Sequence, residues 1–232
     1  MKPVHSWFST VQRSAGLTAV LAAIITVIML SACSPSSPSP ESSNTSLPSG
    51  AILFQDDFSN PNSGWGEWEE EGAEVKYKQG GLRILVNQPQ FDYWSVAGRK
   101  FSDAQIEVDA RLIGKETDND YGLICRYQDQ DNFYMLVISS DGYYGIAKMK
   151  DGEHTMIGAE QLQYSTAIAQ GNSTNHLRAD CVGQTLTLYA NDQKLMEATD
   201  GEYLSGDVGL LAGAYDKGDV DILFDNFVVK KP

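Results

Sequence analysis

Between Gln105 and Leu112 the chain alternates without a slip. Ile106, Val108, Ala110 and Leu112 fall on one side, and Gln105, Glu107, Asp109 and Arg111 on the other. A period of two puts all the apolar side chains on one face of a pleated strand, whereas a helix would need them at i, i+3 and i+4. Runs rich in Val, Ile, Leu, Tyr and Phe predict further strands over 74–79, 82–86, 121–127, 133–139, 143–150, 176–182, 185–190, 208–214 and 220–229. Asp141-Gly142 and Asp151-Gly152 separate them with residues that tolerate positive φ, and so do Val182-Gly183-Gln184 and Asn191-Asp192-Gln193. Helical spacing is scarce. From residue 51 to residue 232 there is room for one domain with a sizeable core. The expected class is all-β: two antiparallel sheets packed face to face, a sandwich or jelly roll.

The beginning of the chain follows a different rule. Lys2 and Arg13 precede an apolar run from Leu17 to Leu30, which ends in Leu30-Ser31-Ala32-Cys33. The run is shorter than the roughly 20 residues a membrane span needs, and its order of basic, apolar and small residues is that of a secretory signal. The closing tetrapeptide resembles the lipobox of bacterial lipoproteins, which implies cleavage before Cys33 and acylation of its thiol. Each buried methylene contributes about 0.8 kcal/mol, so two or three chains hold a protein stably where one does not. Residues 34–50 are almost entirely Ser, Pro, Asn, Thr and Gly, a composition too polar to fold on its own. The expected organisation is a signal peptide over 1–32, a lipidated cysteine and linker over 33–50, and a folded domain over 51–232. The location implied is the cell envelope, outside the cytoplasm and facing outward, with the membrane as a partner through the lipid anchor.

The formal net charge is −14. Residues 1–32 hold Lys2 and Arg13 and no acid, so the chain from Cys33 carries −16. Such a surface repels phosphate backbones, which excludes nucleic acid as a partner. With Cys33 assigned to lipid, Cys125 and Cys181 remain, both in predicted strands. In an oxidising compartment they form either a disulfide, worth roughly 4 kcal/mol by chain entropy, or two buried thiols that behave as small hydrophobes.

Longer motifs carry a family resemblance. Phe54-Gln55-Asp56-Asp57-Phe58-Ser59 with Gly64-Trp65, Tyr121-Gly122-Leu123-Ile124-Cys125-Arg126-Tyr127 with Asn132-Phe133-Tyr134, the stretch from Gly171 to Leu177, and Phe224-Asp225-Asn226-Phe227 resemble the concanavalin A-like lectin and glucanase superfamily. Within it, they are similar to the laminin-G-like and keto-disaccharide hydrolase-type jelly rolls of bacterial lipoproteins. The resemblance implies a sheet facing carbohydrate. Glucanases of this superfamily carry Glu-x-Asp-x-x-Glu on one strand. Here Glu107-Val108-Asp109-Ala110-Arg111-Leu112 lacks the second glutamate, which leaves Glu107 and Asp109 as weak catalytic candidates and favours binding over hydrolysis. Tyr93, Trp94 and Tyr134 offer apolar ring faces to a sugar, and Glu107, Asp109 and Arg126 offer hydrogen bonds to hydroxyl groups. Arg126 is expected to share a strand face with Ile124 and Gln128. Related sandwiches often hold one structural Ca²⁺ between first and last strands, for which Asp57 and Asp225 are the candidate ligands. Three functions follow: a tethered carbohydrate-binding module, a glycoside hydrolase of the keto-disaccharide hydrolase type, and a structural or protein-binding envelope component whose partner is a cell-surface protein.

Overall fold

The computed structural model describes residues 47–232, and the signal segment, Cys33 and most of the linker expected above lie outside the described residues. Among the described residues every regular element is a strand. In chain order these are β1 (Ile52–Asp56), β2 (Trp68–Glu70), β3 (Ala73–Lys78), β4 (Gly81–Val86), β5 (Phe91–Phe101), β6 (Ala104–Leu112), β7 (Asn119–Asp129) and β8 (Asn132–Ile138). They continue as β9 (Tyr143–Lys150), β10 (Glu153–Met156), β11 (Gln163–Tyr164), β12 (Thr174–Val182), β13 (Thr185–Ala190), β14 (Gln193–Thr199), β15 (Gly206–Ala214) and β16 (Val220–Lys230).

They make two antiparallel sheets. The first runs β14-β13-β12-β6-β16-β4-β3-β2, with β1 also paired to β16, and the second runs β10-β9-β8-β7-β15-β5, with β11 also paired to β9. The all-β, two-sheet expectation holds, and every predicted strand is present with its ends moved by at most a few residues. In β6 the predicted alternation is realised in full: Ile106, Val108, Ala110 and Leu112 are buried and the residues between them are not. These side chains share one core with Tyr121, Leu123, Leu136, Ile146 and Leu210 of the second sheet. At about 25 cal/mol per Å² of apolar surface removed from water, this interface is the main source of stability.

The second sheet departs from simple alternation. All nine residues of β15 are buried, as are the first eight of β7. Its inner face belongs to the common core, while Ile124, Phe133, Met135, Val137, Ala147, Met149 and Leu211 form a separate apolar cluster on its outer face. Strands buried on both faces read as continuous apolar runs, which is the pattern of Phe133-Tyr134-Met135-Leu136-Val137-Ile138. Over β9 part of the cover is visible: a side chain at Gly145 would meet Met156 and Leu162 at 2.6 and 2.7 Å, because the chain from β10 to β11 folds back along this strand.

Cys125 of β7 and Cys181 of β12 are joined in a disulfide, so a covalent link ties one sheet to the other through the core. Of the two expectations for this pair, the disulfide is the one realised. Replacing both cysteines by alanine is expected to lower the unfolding free energy by about 2–5 kcal/mol. Urea titration of the double variant checks this, and an unchanged midpoint would mean that the link carries no weight.

Candidate functional site

Three strands of the second sheet bring two acids together. In β15, Gly213 is the register partner of Asp92 on β5 and of Asp120 on β7. All three residues face outward, since their neighbours Tyr93, Tyr121 and Ala212 pack into the common core. A Cβ built on Gly213 would lie 1.9 Å from Asp92 Oδ1 and 2.1 Å from Asp120 Oδ1, so these oxygens are at most 4.0 Å apart. Only glycine leaves room for both carboxyls to lean over the central strand.

Each of these aspartates is 7 % exposed. Burial pushes the Asp92 carboxyl well above the usual range, and the facing Asp120 carboxyl raises it further by charge and by a side-chain hydrogen bond. Beyond the Asp120 carboxyl, Asp92 Oδ1 has no hydrogen-bond partner. A bond between two carboxyl groups needs one of them to hold a proton, which is the arrangement that close burial of two acids enforces. Tyr215, also buried, has its phenol pushed up by burial and then by the charges of Asp120, Asp92, Asp118 and Asp141. Asn119 fixes the neighbouring turn, accepting from Ser140 N at 2.9 Å and donating to the Glu116 carbonyl at 2.7 Å.

Two residues along β5 from Asp92, on the same face, stands Trp94. It is half-buried, packs against the outer apolar cluster and lies 5.1 Å from the Phe133 ring, which also has the Tyr127 ring at 5.5 Å. The outer face of the second sheet therefore combines an aromatic strip with a carboxyl pair.

The residues expected from sequence are dispersed. Trp94 lies on this face, but Tyr93 alternates to the inner side, where it packs against the common core and approaches Trp68 at 5.2 Å. Tyr134 is buried between the sheets; its hydroxyl donates to Asp200 Oδ1 at 2.6 Å and accepts from Tyr203 N at 3.1 Å, tying down the turn before β15. Arg126 is only 1 % exposed and does not share a regular strand face with Ile124 and Gln128, because β7 bulges there and Arg126 takes φ 56°. Its Nη1 donates to the Tyr203 carbonyl at 2.9 Å, its Nη2 stands 3.8 Å from Asp103, and burial lowers its pKa.

Glu107 and Asp109 share an outward face, as expected, but it belongs to the first sheet, away from Trp94. Burial alone would raise the Glu107 carboxyl, yet hydrogen bonds from Lys230, at 2.6 Å, and Gln105 outweigh it and hold the pKa below the usual value. Asp109 meets His176 Nδ1 at 2.8 Å and accepts from Asn226 Nδ2 at 3.0 Å. The same sheet pairs Arg178 with Asp180, and Arg83 with both Glu74 and Asp221. This is a face closed by its own ion pairs. Asp57 lines an open cleft with Asp56, Asn60 and Asn226, and its Oδ1 accepts from both the backbone and the hydroxyl of Ser59. Asp225 Oδ1 accepts from Asn226 N at 2.7 Å. The hard oxygens of Asp57 and Asp225 suit Ca²⁺ chemically, but among the described residues no group of three or more His, Cys, Asp or Glu side chains is placed to hold a metal.

Neither a family model nor a curated protein matches the chain. Solved structures do. A Bacillus subtilis carbohydrate-binding module, CBM66, aligns with TM-score 0.60 at 18% identity over 73% of this chain and 96% of its own. A B. subtilis protein of unknown function with a galectin-like fold aligns at 0.57, with 13% identity over 79% of this chain and 97% of its own. A Bacillus licheniformis β-glucanase aligns at 0.55, with 13% identity over 79% and 99%. At these identities the likeness is one of fold, that of a two-sheet antiparallel jelly roll.

Asp92 carries a raised pKa, so from this group the folded state holds more protons than the unfolded chain, and stability falls as pH rises through the interval above the ordinary aspartate value of 3.8. Asp92→Asn is expected to flatten that slope and to raise stability at neutral pH by about 1–3 kcal/mol. Urea midpoints measured across the acid to neutral range check it; a variant with the parent's slope would contradict the carboxyl pairing.

Proposed function

We propose that this protein is a non-catalytic carbohydrate-binding module, tethered to the cell envelope through acyl chains on Cys33 and binding its glycan on the outer face of the second sheet. The observation that carries the reading is Trp94 two residues from Asp92 on one strand, with Asp120 drawn alongside across Gly213. An aromatic ring offers an apolar surface to the C–H face of a sugar, and a carboxyl pair that shares a proton both donates to and accepts from hydroxyl groups. The fold likeness to a carbohydrate-binding module supports the same reading.

Spacing favours binding over hydrolysis. Glycosidases place their two carboxyl groups about 5–5.5 Å apart for retention and about 6.5–9.5 Å apart for inversion, with the sugar between them. Asp92 and Asp120 stand closer than either, with facing oxygens at most 4.0 Å apart. Glu107, whose acidity is increased, lacks the raised pKa of a general acid.

On a glycan array the protein is expected to be retained by a defined set of oligosaccharides without releasing reducing ends. Trp94→Ala should weaken retention at least about tenfold, the loss of a stacking contact, while Glu107→Gln leaves it unchanged. Retention lost in Glu107→Gln and kept in Trp94→Ala would move the site to the other sheet. For the anchor, metabolic labelling with a fatty acid should mark the wild-type chain and not Cys33→Ala. An unlabelled wild-type chain would refute the tether.

A further inference from the structure

We infer that the ligand is an extended glycan chain, several sugars long, held by two aromatic anchors on the outer face of the second sheet: Trp94 at one margin and Tyr164, braced by Tyr143, at the other. This rests on the carbohydrate-binding reading above and specifies the class of glycan. Tyr164 is 53 % exposed, and it is the only aromatic side chain among the described residues that is neither buried nor half-buried. Exposure of a single ring means little by itself. This ring, however, is fixed in place. Its hydroxyl accepts from Gln170 Nε2 at 2.9 Å, and its edge meets the Tyr143 ring at 5.7 Å with the planes 71° apart. One side of it lies against Gly142, where a Cβ would come within 2.8 Å of Tyr164 Cε2. The segment that carries it is tied back to the turn between β8 and β9: Ser165 N donates to the Gly142 carbonyl at 3.0 Å and Gly171 N to the Ser140 carbonyl at 2.8 Å. A ring ordered before its ligand arrives loses little rotamer freedom when a sugar stacks on it.

Register places this ring relative to Trp94. Tyr93, Ala212, Tyr121, Ile138 and Tyr144 are successive partners across β5, β15, β7, β8 and β9, and all of them pack into the common core. Trp94 and Tyr143 are their neighbours in the chain and point the other way, outward. Tyr164 is the register partner of Tyr143 on β11, so it stands on the same face. The two anchors are therefore five strand steps apart, about 20–25 Å at the usual spacing between strands. A monosaccharide or disaccharide reaches only one of them. A chain lying across the strands reaches both, and its second contact is then intramolecular, which multiplies affinity.

The test is isothermal titration of the full chain with gluco-, xylo- and fructo-oligosaccharides and with the glycan retained on the array, each graded from disaccharide to octasaccharide. In the series that binds, affinity is expected to rise at least about tenfold from the shortest to the longest member, once both rings are spanned. Tyr164→Ala should erase that rise, the octasaccharide then binding no more tightly than the disaccharide. Tyr164→Phe, which keeps the ring, should keep the rise. A thermal midpoint equal to the parent's shows that Tyr164→Ala has lost a contact and not the fold. Affinity independent of chain length would overturn the inference and leave the carbohydrate-binding reading standing. A rise that survives Tyr164→Ala would overturn the assignment of the second anchor. Retention of no glycan of any kind would overturn both readings.

Discussion

The apolar interface between the two sheets governs everything else in this molecule. Ile106, Val108, Ala110 and Leu112 from one layer and Tyr121, Leu123, Leu136 and Leu210 from the other are all fully buried in the common core. Once those faces are fixed inward, the opposite face of every strand is fixed outward, because side chains alternate. The disulfide between Cys125 and Cys181 joins the layers at one point of that interface. A slip of one residue in β5 would exchange Tyr93 with Trp94 and dismantle the site without breaking a single covalent bond.

The two outer faces have opposite characters. On the first sheet, charged groups meet partners within the protein: Glu107 pairs with Lys230, Asp109 hydrogen-bonds with His176 and Asn226, and Arg178 pairs with Asp180. On the second sheet an apolar cluster shares the face with two acids, Asp92 and Asp120, that lean together over Gly213. Natural folds retain buried like charges where they serve a purpose, since burial and mutual repulsion both oppose them. The binding surface proposed above is therefore the one where like charges are held together by burial rather than matched by cations.

The fold was legible from alternation and turn residues, because both are local. Trp94 was legible as an aromatic beside a strand, but Tyr93 next to it could not serve the same surface: adjacent residues in a strand face opposite ways. Arg126 was misplaced because a bulge between Cys125 and Asp129 breaks the alternation on which its assignment rested, and nothing in Cys125-Arg126-Tyr127 announces positive φ at an arginine. The Asp92 and Asp120 pair was invisible. Its members are far apart in the chain and meet only through β15, which enters more than eighty residues after Asp120. One signal did exist: Gly213 interrupts the apolar run Leu210-Leu211-Ala212-Gly213-Ala214, and a glycine inside a strand marks a close approach.

The central claim is that the outer face of the second sheet is the binding surface, and amide chemical-shift mapping during titration with a retained oligosaccharide tests it most directly. The account predicts that the perturbed amides cluster at Asp92, Trp94, Asp120 and Leu211 to Gly213, with Glu107, Asp109 and His176 unmoved. Perturbations centred on β6 and β12 of the first sheet would contradict it.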